Sequence, residues 1–128
     1  MPKLEALHTE AAPGAIGPYS QAVRAGQWLM TAGQIGLDPA SGELASGLEA
    51  QVRQVMRNLA AVLDGAGLGF DHVVKTTIFL ASMDDFGTVN EIYGAHFEPP
   101  YPARSTVEAA GLPKGALVEI DLVACRPD

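Results

Sequence analysis

The sequence predicts an α+β fold in which two helices cover one face of a single sheet. Apolar residues recur at spacings of three and four over residues 48–66 and again over 86–97, as they do along the buried face of a helix. The other periodic segments alternate between apolar and polar residues or are apolar throughout, which is typical of strands. Because two helices cover only one face, we expect the other face to pack against a further subunit.

The first strands of the sheet are expected near the N-terminus. Residues 4–8 form a short strand-like segment, and a hairpin follows in which Gly26 and Gln27 turn the chain between strands at 21–25 and 28–33. A further turn is expected at 38–42, where Asp, Pro, Ser and Gly cluster.

The first helix is predicted to follow this turn. Its apolar stripe consists of Leu48, Val52, Val55, Met56, Leu59, Val62, Leu63 and Ala66. Gly65, Gly67 and Gly69 superficially resemble a nucleotide-binding loop, but such a loop follows a strand and opens a helix. Here the glycines close one, so we interpret them as its C-terminal cap.

A strand is predicted next, at residues 73–81. Alternation would place Val74, Ile78 and Leu80 on one face of the sheet and Val73 and Phe79 on the other. A strand that is apolar on both faces belongs inside the protein or its assembly.

The second helix is expected to begin after Ser82, because Ser82 and Asp85 have the spacing of a capping box. Its stripe consists of Phe86, Val89, Ile92, Tyr93 and Phe97. The prolines within 98–102 end this helix, since proline cannot continue the hydrogen-bond ladder.

Two last strands, predicted at 103–109 and 117–124, carry the strongest candidates for chemistry. The loop 111–115 between them is short, so we expect the strands to pair as a hairpin. That hairpin would bring Arg104 and Glu119 within reach of one small molecule. Asp121 shares the predicted face of Glu119, so either carboxylate is a candidate partner for Arg104. An arginine facing a carboxylate is also a common structural ion pair.

The composition is that of one compact domain covering residues 1–128, with 48% hydrophobic residues. Eight basic and 15 acidic side chains give a net charge of -7, which disfavours nucleic acid as a partner. Cys125 is the single cysteine and cannot form an internal disulfide, and no apolar run approaches the length of a membrane span. We therefore expect a cytoplasmic protein that does not bind membranes.

Metal chemistry and covalent catalysis have little support in the sequence. His8, His72 and His96 are scattered without the paired spacing of metal ligands, and one cysteine cannot make a zinc site alone. Neither a nucleophile elbow nor a phosphate-binding loop is present. We expect no metal site.

Several short segments, spread in order over almost the whole chain, form a family pattern. They are residues 16–22, 32–35, 74–77, 85–86, 89–90, 102–105, 112–114 and 118–120. Together they resemble the reactive intermediate deaminase family, also called the YjgF family. The resemblance implies a chorismate-mutase-like fold and a barrel-like homotrimer with ligand clefts between subunits. It also implies hydrolysis of small 2-enamino and 2-imino acids, such as 2-aminoacrylate, to 2-oxo acids and ammonia without a cofactor.

The candidate site residues suit that chemistry. Arg104 would hold the substrate carboxylate, because a planar guanidinium binds a carboxylate through two charge-assisted hydrogen bonds. Glu119 would orient a water molecule and accept its proton. The family analogy adds the hydroxyl of Tyr19 and the backbone of Gly33 as parts of the binding wall, although packing is an equally common role for a tyrosine. Asn90 is interpreted as a residue that caps or bridges backbone groups.

Two other functions stay open at this point. One is a regulatory or ligand-binding trimer that holds a carboxylate metabolite without turning it over. The other is the ribonuclease or translation-inhibitor activity attributed to relatives, which the acidic balance disfavours. The chain also departs from the family pattern at Thr106, where many close members carry a cysteine, and this argues against thiol-based regulation in the cleft.

Overall fold

Six strands form one mixed sheet in the computed structural model, which describes residues 3–127. The strands are β1 (Leu4–Leu7), β2 (Ala22–Ala25), β3 (Trp28–Thr31), β4 (Val73–Leu80), β5 (Ala103–Glu108) and β6 (Val118–Cys125). Their order across the sheet is β1-β2-β3-β6-β4-β5. The strands β4 and β5 run parallel, and the other neighbours run antiparallel. The expected α+β class and the N-terminal hairpin are confirmed.

Two helices, α1 (Leu48–Gly65) and α2 (Phe86–Gly94), pack on one face of this sheet. The alternating residues of β6 that face them are almost fully buried, from 0% exposure at Val118 and Ile120 to 2% at Leu122. The apolar stripe of α1 supplies the other side of this core. The helix α2 is shorter than its apolar stripe predicted, because the chain leaves helical geometry after Gly94 while Phe97 still packs in the core.

Of the three glycines predicted to cap the C-terminal end of α1, Gly67 does so, whereas Gly65 is the last residue of the helix and Gly69 precedes a short 3-10 helix. Ala66 is the cap residue, and Gly67 adopts a left-handed backbone with a φ of 75°. The amide of Leu68 then donates to the Leu63 carbonyl at 2.9 Å. The Arg24 guanidinium donates to the Ala66 carbonyl at 2.6 Å, which ties this helix end to β2.

A bulge in β4 changes which of its residues face the core. The register against β6 shifts between Val73 and Lys75, so that Val73 is 7% exposed and Val74 is 41% exposed. The expectation that Val74 shares a face with Ile78 was therefore wrong, as was the placement of Val73 beside Phe79. Because of this extra residue, the start of the strand faces the opposite side of the sheet from the one that strict alternation predicts.

The expected hairpin of the last two strands was also wrong. The strand β5 pairs with β4 in parallel, and β6 lies on the other side of β4. Burial explains the difference. In β6 every second residue is buried, so this strand belongs in the middle of the sheet, whereas β5 is exposed at most positions and suits an edge. The helix α2 forms the crossover that parallel pairing requires.

Neither α1 nor α2 lies on the second face of the sheet. Large apolar side chains are exposed there, including Trp28 and Met30 of β3, at 48% and 38%. Neither helix in the described part of the chain combines the length and hydropathy that spanning a membrane would require.

Candidate functional site

Arg104 lies on β5, at the edge of the sheet and on the side that faces α2. Its guanidinium donates a hydrogen bond to Asn90 Oδ1 and lies 5.4 Å from the ring centroids of both Phe86 and Tyr93. These three residues stand at spacings of four and three along α2, so they project from one side of the helix. Ring stacking and one hydrogen bond therefore orient the guanidinium while its other N–H groups stay available.

A cavity of about 430 Å³ opens beside this guanidinium. Its lining consists of Asn90, Tyr93, Gly94, Tyr101, Pro102 and Arg104. The Tyr93 hydroxyl is hydrogen-bonded to Thr76 Oγ1 at 2.8 Å, and burial raises the pKa of Tyr93. No carboxylate within residues 3–127 lies within ion-pair distance of Arg104. Within one chain, Arg104 is therefore not the structural ion pair that the sequence left open.

Glu119 lines a different cavity, of about 370 Å³, together with Tyr19 and Gly33. Glu119 lies on β6, and Gly33 follows β3, which pairs with β6. The structure thus brings three of the four predicted site residues together. Lys114 also lines this cleft, and its φ of 58° places it in the left-handed region that few side-chain-bearing residues adopt.

Gly33 makes room for the Glu119 carboxylate. A Cβ atom at residue 33 would lie 2.7 Å from Glu119 Oε2 and 2.8 Å from its Cδ, which is closer than real side chains approach. The backbone φ of Gly33 is not positive, so close approach rather than backbone conformation explains the glycine. The Glu119 carboxylate can therefore occupy this position because residue 33 has no side chain.

The environment of Glu119 makes its carboxyl hold a proton more tightly. Burial raises its pKa, and the negative charge of Asp121 raises it further. Burial also raises the pKa of Asp121, but the Thr77 hydroxyl and the charge of Lys75 oppose that shift. Glu119 has no side-chain hydrogen bond within the described residues and lines the cleft, whereas Asp121 lines neither cavity. Of the two carboxylates, Glu119 is the one placed to meet a ligand.

Arg104 and Glu119 do not share a site within one chain. Arg104 is in register with Thr76, which faces the helices, and Glu119 is in register with Phe79 on the open face. The strand β4 lies between them. Standard strand geometry separates their Cα atoms by about 10 Å across the sheet and about 10 Å along it. Any reaction that needs both groups requires a second chain.

The sequence interpretation missed two residues of these cavities. Asn90 orients Arg104, and its position between Phe86 and Tyr93 on one helical face was the available signal. Lys114 stands between Pro113 and Gly115 in a turn, and the family pattern at 112–114 was the available signal. Among residues 3–127, no group of three or more His, Cys, Asp or Glu side chains is placed to hold a metal ion.

Comparison with known proteins gives these cavities a context. Residues 9–126 match a family model described as endoribonuclease L-PSP. Over 121 residues the chain is 48% identical to the 2-iminobutanoate/2-iminopropanoate deaminase of Mus musculus, a match that covers 94% of this chain and 90% of the mouse protein.

Solved structures agree with that match. RidA from the Antarctic bacterium Psychrobacter superposes with a TM-score of 0.92 at 41% identity, covering 94% of this chain and 98% of that one. TdcF from E. coli, solved with bound serine, gives a TM-score of 0.91 at 38% identity and covers 96% and 99% of the two chains. Sequence and fold agree over nearly the whole length, and the chain belongs to the RidA/YjgF/L-PSP family.

Proposed function

We propose that this protein hydrolyses small 2-imino acids, formed from 2-aminoacrylate-type enamines, to 2-oxo acids and ammonia. The reaction takes place in a cleft to which one subunit contributes Arg104 and another contributes Glu119. One observation carries this proposal: among the described residues, the Arg104 guanidinium has no carboxylate partner and the Glu119 carboxylate has no hydrogen bond, and the two line separate cavities on opposite faces of one sheet. The name of the mouse relative supports the choice of substrate.

The assembly that completes the cleft is a homotrimer. The uncovered sheet face exposes Trp28, Met30 and Val74, and a second subunit would bury them. Each chain carries Arg104 on one face of its sheet and Glu119 on the other, so it can offer one group to each of two neighbours. In a closed ring of subunits every cleft then receives both groups. The resemblance to the family supports three subunits. The solution mass, measured by light scattering, tests this number, and a monomer would contradict it.

Arg104 would bind the substrate carboxylate through paired, charge-assisted hydrogen bonds. Asn90 and the two aromatic rings keep the guanidinium in one orientation, so little rotational freedom is lost when the substrate binds. This grip places the imine carbon at a fixed position relative to the opposite wall of the cleft.

Glu119 would act on the water. The enamine first tautomerises to the imine, and the water oxygen then attacks the imine carbon while Glu119 accepts the water proton. Proton transfer to the nitrogen follows, the C–N bond breaks, ammonia leaves, and the C=O bond of the 2-oxo acid forms. A carboxyl whose pKa is raised by burial is a stronger base, which suits this step. The carbon of the imine and the carbonyl carbon of the product have the same oxidation state, so the reaction itself needs no redox group.

Tyr19 and Gly33 complete the wall around Glu119. Tyr19 is 54% exposed in the single chain, so it is not a core residue and its hydroxyl is free to face a ligand. Gly33 lets the Glu119 carboxylate lie close to the backbone. We assign Tyr19 to substrate binding and Gly33 to the shape of the cleft. For the compartment we propose the cytoplasm, in keeping with the free thiol of Cys125.

The activity is tested by generating 2-aminoacrylate from serine with a dehydratase and following pyruvate with lactate dehydrogenase. We expect the wild-type protein to accelerate pyruvate formation above the unaided rate, and Arg104→Ala and Glu119→Gln to remove that acceleration. Arg53→Ala, an exposed arginine outside both cavities, is the matched control and keeps it. No acceleration by the wild-type protein would refute the enzymatic proposal.

A mixing experiment tests whether subunits share the cleft. When Arg104→Ala and Glu119→Gln chains are co-refolded at equal amounts, some clefts combine the intact Arg104 of one chain with the intact Glu119 of the other. Random assembly into a ring restores about a quarter of the clefts, so about a quarter of the wild-type activity returns. A cleft built within one chain would restore none.

Binding without turnover is the second candidate, because TdcF from E. coli was solved with bound serine. In that case a 2-oxo acid or serine binds to the wild-type protein, Arg104→Ala weakens the binding, and pyruvate forms at the unaided rate. Salt-sensitive cleavage of RNA by a highly purified sample would instead support a nuclease, although a net charge of -7 disfavours it.

A further inference from the structure

Three amide side chains on α1 point into the protein rather than into solvent. Gln51, Gln54 and Asn58 stand at spacings of three and four residues, beside the apolar stripe of the helix. Asn58 has no exposed surface, and Gln51 is 4% exposed. Burying an amide costs free energy unless hydrogen bonds satisfy it, so the partners of these amides indicate what they do.

Asn58 holds the segment that follows Gly33. Its Nδ2 donates to the carbonyls of Ile35 and Leu37, at 3.2 and 2.9 Å, and its Oδ1 accepts a hydrogen bond from Gln54 Nε2 at 2.8 Å. Both donors of the amide are thus used on backbone carbonyls of one short segment. That segment carries Gly33 at its start and contributes to the wall of the Glu119 cleft.

Gln51 holds the beginning of β6 from the same helix. Its Oε1 accepts a hydrogen bond from the Leu117 amide at 2.8 Å, two residues before Glu119. The segment after Gly33 also lies directly against the helix here, because a Cβ atom at Gly36 would be 2.8 Å from the Gln51 Cα atom. One turn of α1 therefore contacts both backbone segments that form the cleft.

These two segments are also joined to each other. The Gln34 amide donates to the Ile120 carbonyl at 2.9 Å, and the Ile120 amide donates to the Gln34 carbonyl at 3.1 Å. The helix α1, the segment 33–37 and the start of β6 are therefore each hydrogen-bonded to the other two. Gly33 and Glu119, whose close approach would require the carboxylate to move if residue 33 carried a Cβ atom, lie beside these hydrogen bonds.

We propose that Asn58 and Gln51 are positioning residues for the Glu119 cleft: from α1 they fix the backbone of Gly33 and that of Glu119 relative to each other. This inference rests on the proposed function for its effect on catalysis. A displacement of the carboxylate by a fraction of an ångström changes its alignment with the water and the imine carbon. The grip on the substrate carboxylate, which comes from Arg104 of another subunit, is unaffected.

The test compares Asn58→Leu and Gln51→Met with Leu63→Val, a core variant in the last turn of the same helix. Assays run well below the lowest melting temperature, so that every variant is folded. We expect kcat to fall about 10- to 100-fold in the two amide variants, with KM within threefold of wild type, and to stay within twofold in Leu63→Val. Gln51→Glu keeps an acceptor for the Leu117 amide and is expected to restore most of the kcat that Gln51→Met loses.

Amide hydrogen exchange gives a readout that does not depend on activity. Peptides covering 33–37 and 117–120 are expected to exchange faster in Asn58→Leu than in wild type, and unchanged in Leu63→Val. If the wild-type protein fails to hydrolyse imines, the proposed function fails while this exchange pattern still supports the positioning role. Unchanged exchange at 33–37 and 117–120 in Asn58→Leu would overturn it, as would an equal loss of kcat in Leu63→Val.

Discussion

Replacing Gly33 with alanine should reduce activity while leaving the fold intact. The added Cβ would lie 2.7 Å from Glu119 Oε2, whereas ordinary contact begins at 3.4 Å, so the carboxylate must move by about 0.7 Å. A misplacement of about 1 Å costs about 10²-fold in rate when a group must be aligned for reaction. We therefore expect Gly33→Ala to lower kcat about 10- to 100-fold.

Stability should change much less than activity. The Glu119 side chain has to leave its preferred rotamer, which costs about 0.5 to 1.5 kcal/mol. Replacing a glycine that has no positive φ with alanine raises the free energy of unfolding by about 0.4 to 1 kcal/mol, because the unfolded chain loses conformational freedom. The two terms nearly cancel, so the free energy of unfolding is expected to stay within about 1 kcal/mol of wild type.

The assay is pyruvate formation from 2-aminoacrylate, read beside a urea unfolding curve for each variant. Gly111→Ala is the matched control, because a Cβ there meets no atom within 4 Å and its φ is not positive. We expect the control to keep wild-type kcat. If Gly33→Ala retained wild-type kcat, or lost activity only in proportion to lost folded protein, the role given to the close approach would be wrong.

The other predictions concern the charges and one buried hydroxyl. Burial and the charge of Asp121 raise the pKa of Glu119 within one chain, and kcat/KM should rise with pH as this carboxyl ionises. Asp121→Asn should move that step to lower pH, and an unmoved step would contradict the coupling. The same raised pKa means that the folded state binds the proton more tightly, so Glu119→Gln should make stability fall less as pH rises through that window, as urea titrations would measure. Arg104→Lys should raise KM about 10- to 100-fold, because a point charge replaces a two-pronged donor, and an unchanged KM in initial-rate assays would refute that grip. Thr106 Oγ1 is buried without a hydrogen bond in the described residues, so Thr106→Val should raise the free energy of unfolding by about 1 kcal/mol, and a loss in the same urea assay would argue for an unseen partner.

The elements of this fold could be predicted from local pattern, but the pairing of β5 depends on the order of the elements and on burial over the whole sheet. A short turn-rich loop between two strands favours a hairpin when only neighbouring residues are considered. Pairing is decided by burial over the whole sheet. Every second residue of β6 has almost no exposed surface, whereas Val107 of β5 is 44% exposed. The helix between β4 and β5 was the available signal, since a helical crossover favours parallel pairing. The bulge at Val74 had no such signal, because one inserted residue leaves no recognisable change in the composition or in the alternation of the sequence.

For the candidate site, the residue types could be chosen from the sequence and the family resemblance, but their grouping could not. The expectation that one hairpin brings Arg104 and Glu119 together was wrong, because β5 does not pair with β6, whereas the family resemblance implied clefts between subunits. Their separation depends on which face each strand presents and on β4 lying between them, both of which are properties of the completed sheet. The buried amides of α1 were visible as polar residues at helical spacing, but an amide on a buried face indicates a partner only once the loop that meets it is known.

The two halves of the proposed cleft are oriented by different contacts, so their contributions should be separable. Arg104 is oriented from one side by the rings and amide of α2, so changes there should act on substrate binding and appear in KM. Glu119 is oriented by a glycine that leaves it room and by a helix that fixes two backbone segments, so changes there should act on the chemical step and appear in kcat. In the proposed trimer, each chain supplies Arg104 to one cleft and Glu119 to another, so the two effects would meet only in the assembled protein. In that assembly, a variant that weakens the contact between subunits should raise KM and lower kcat together without changing the residues of either half.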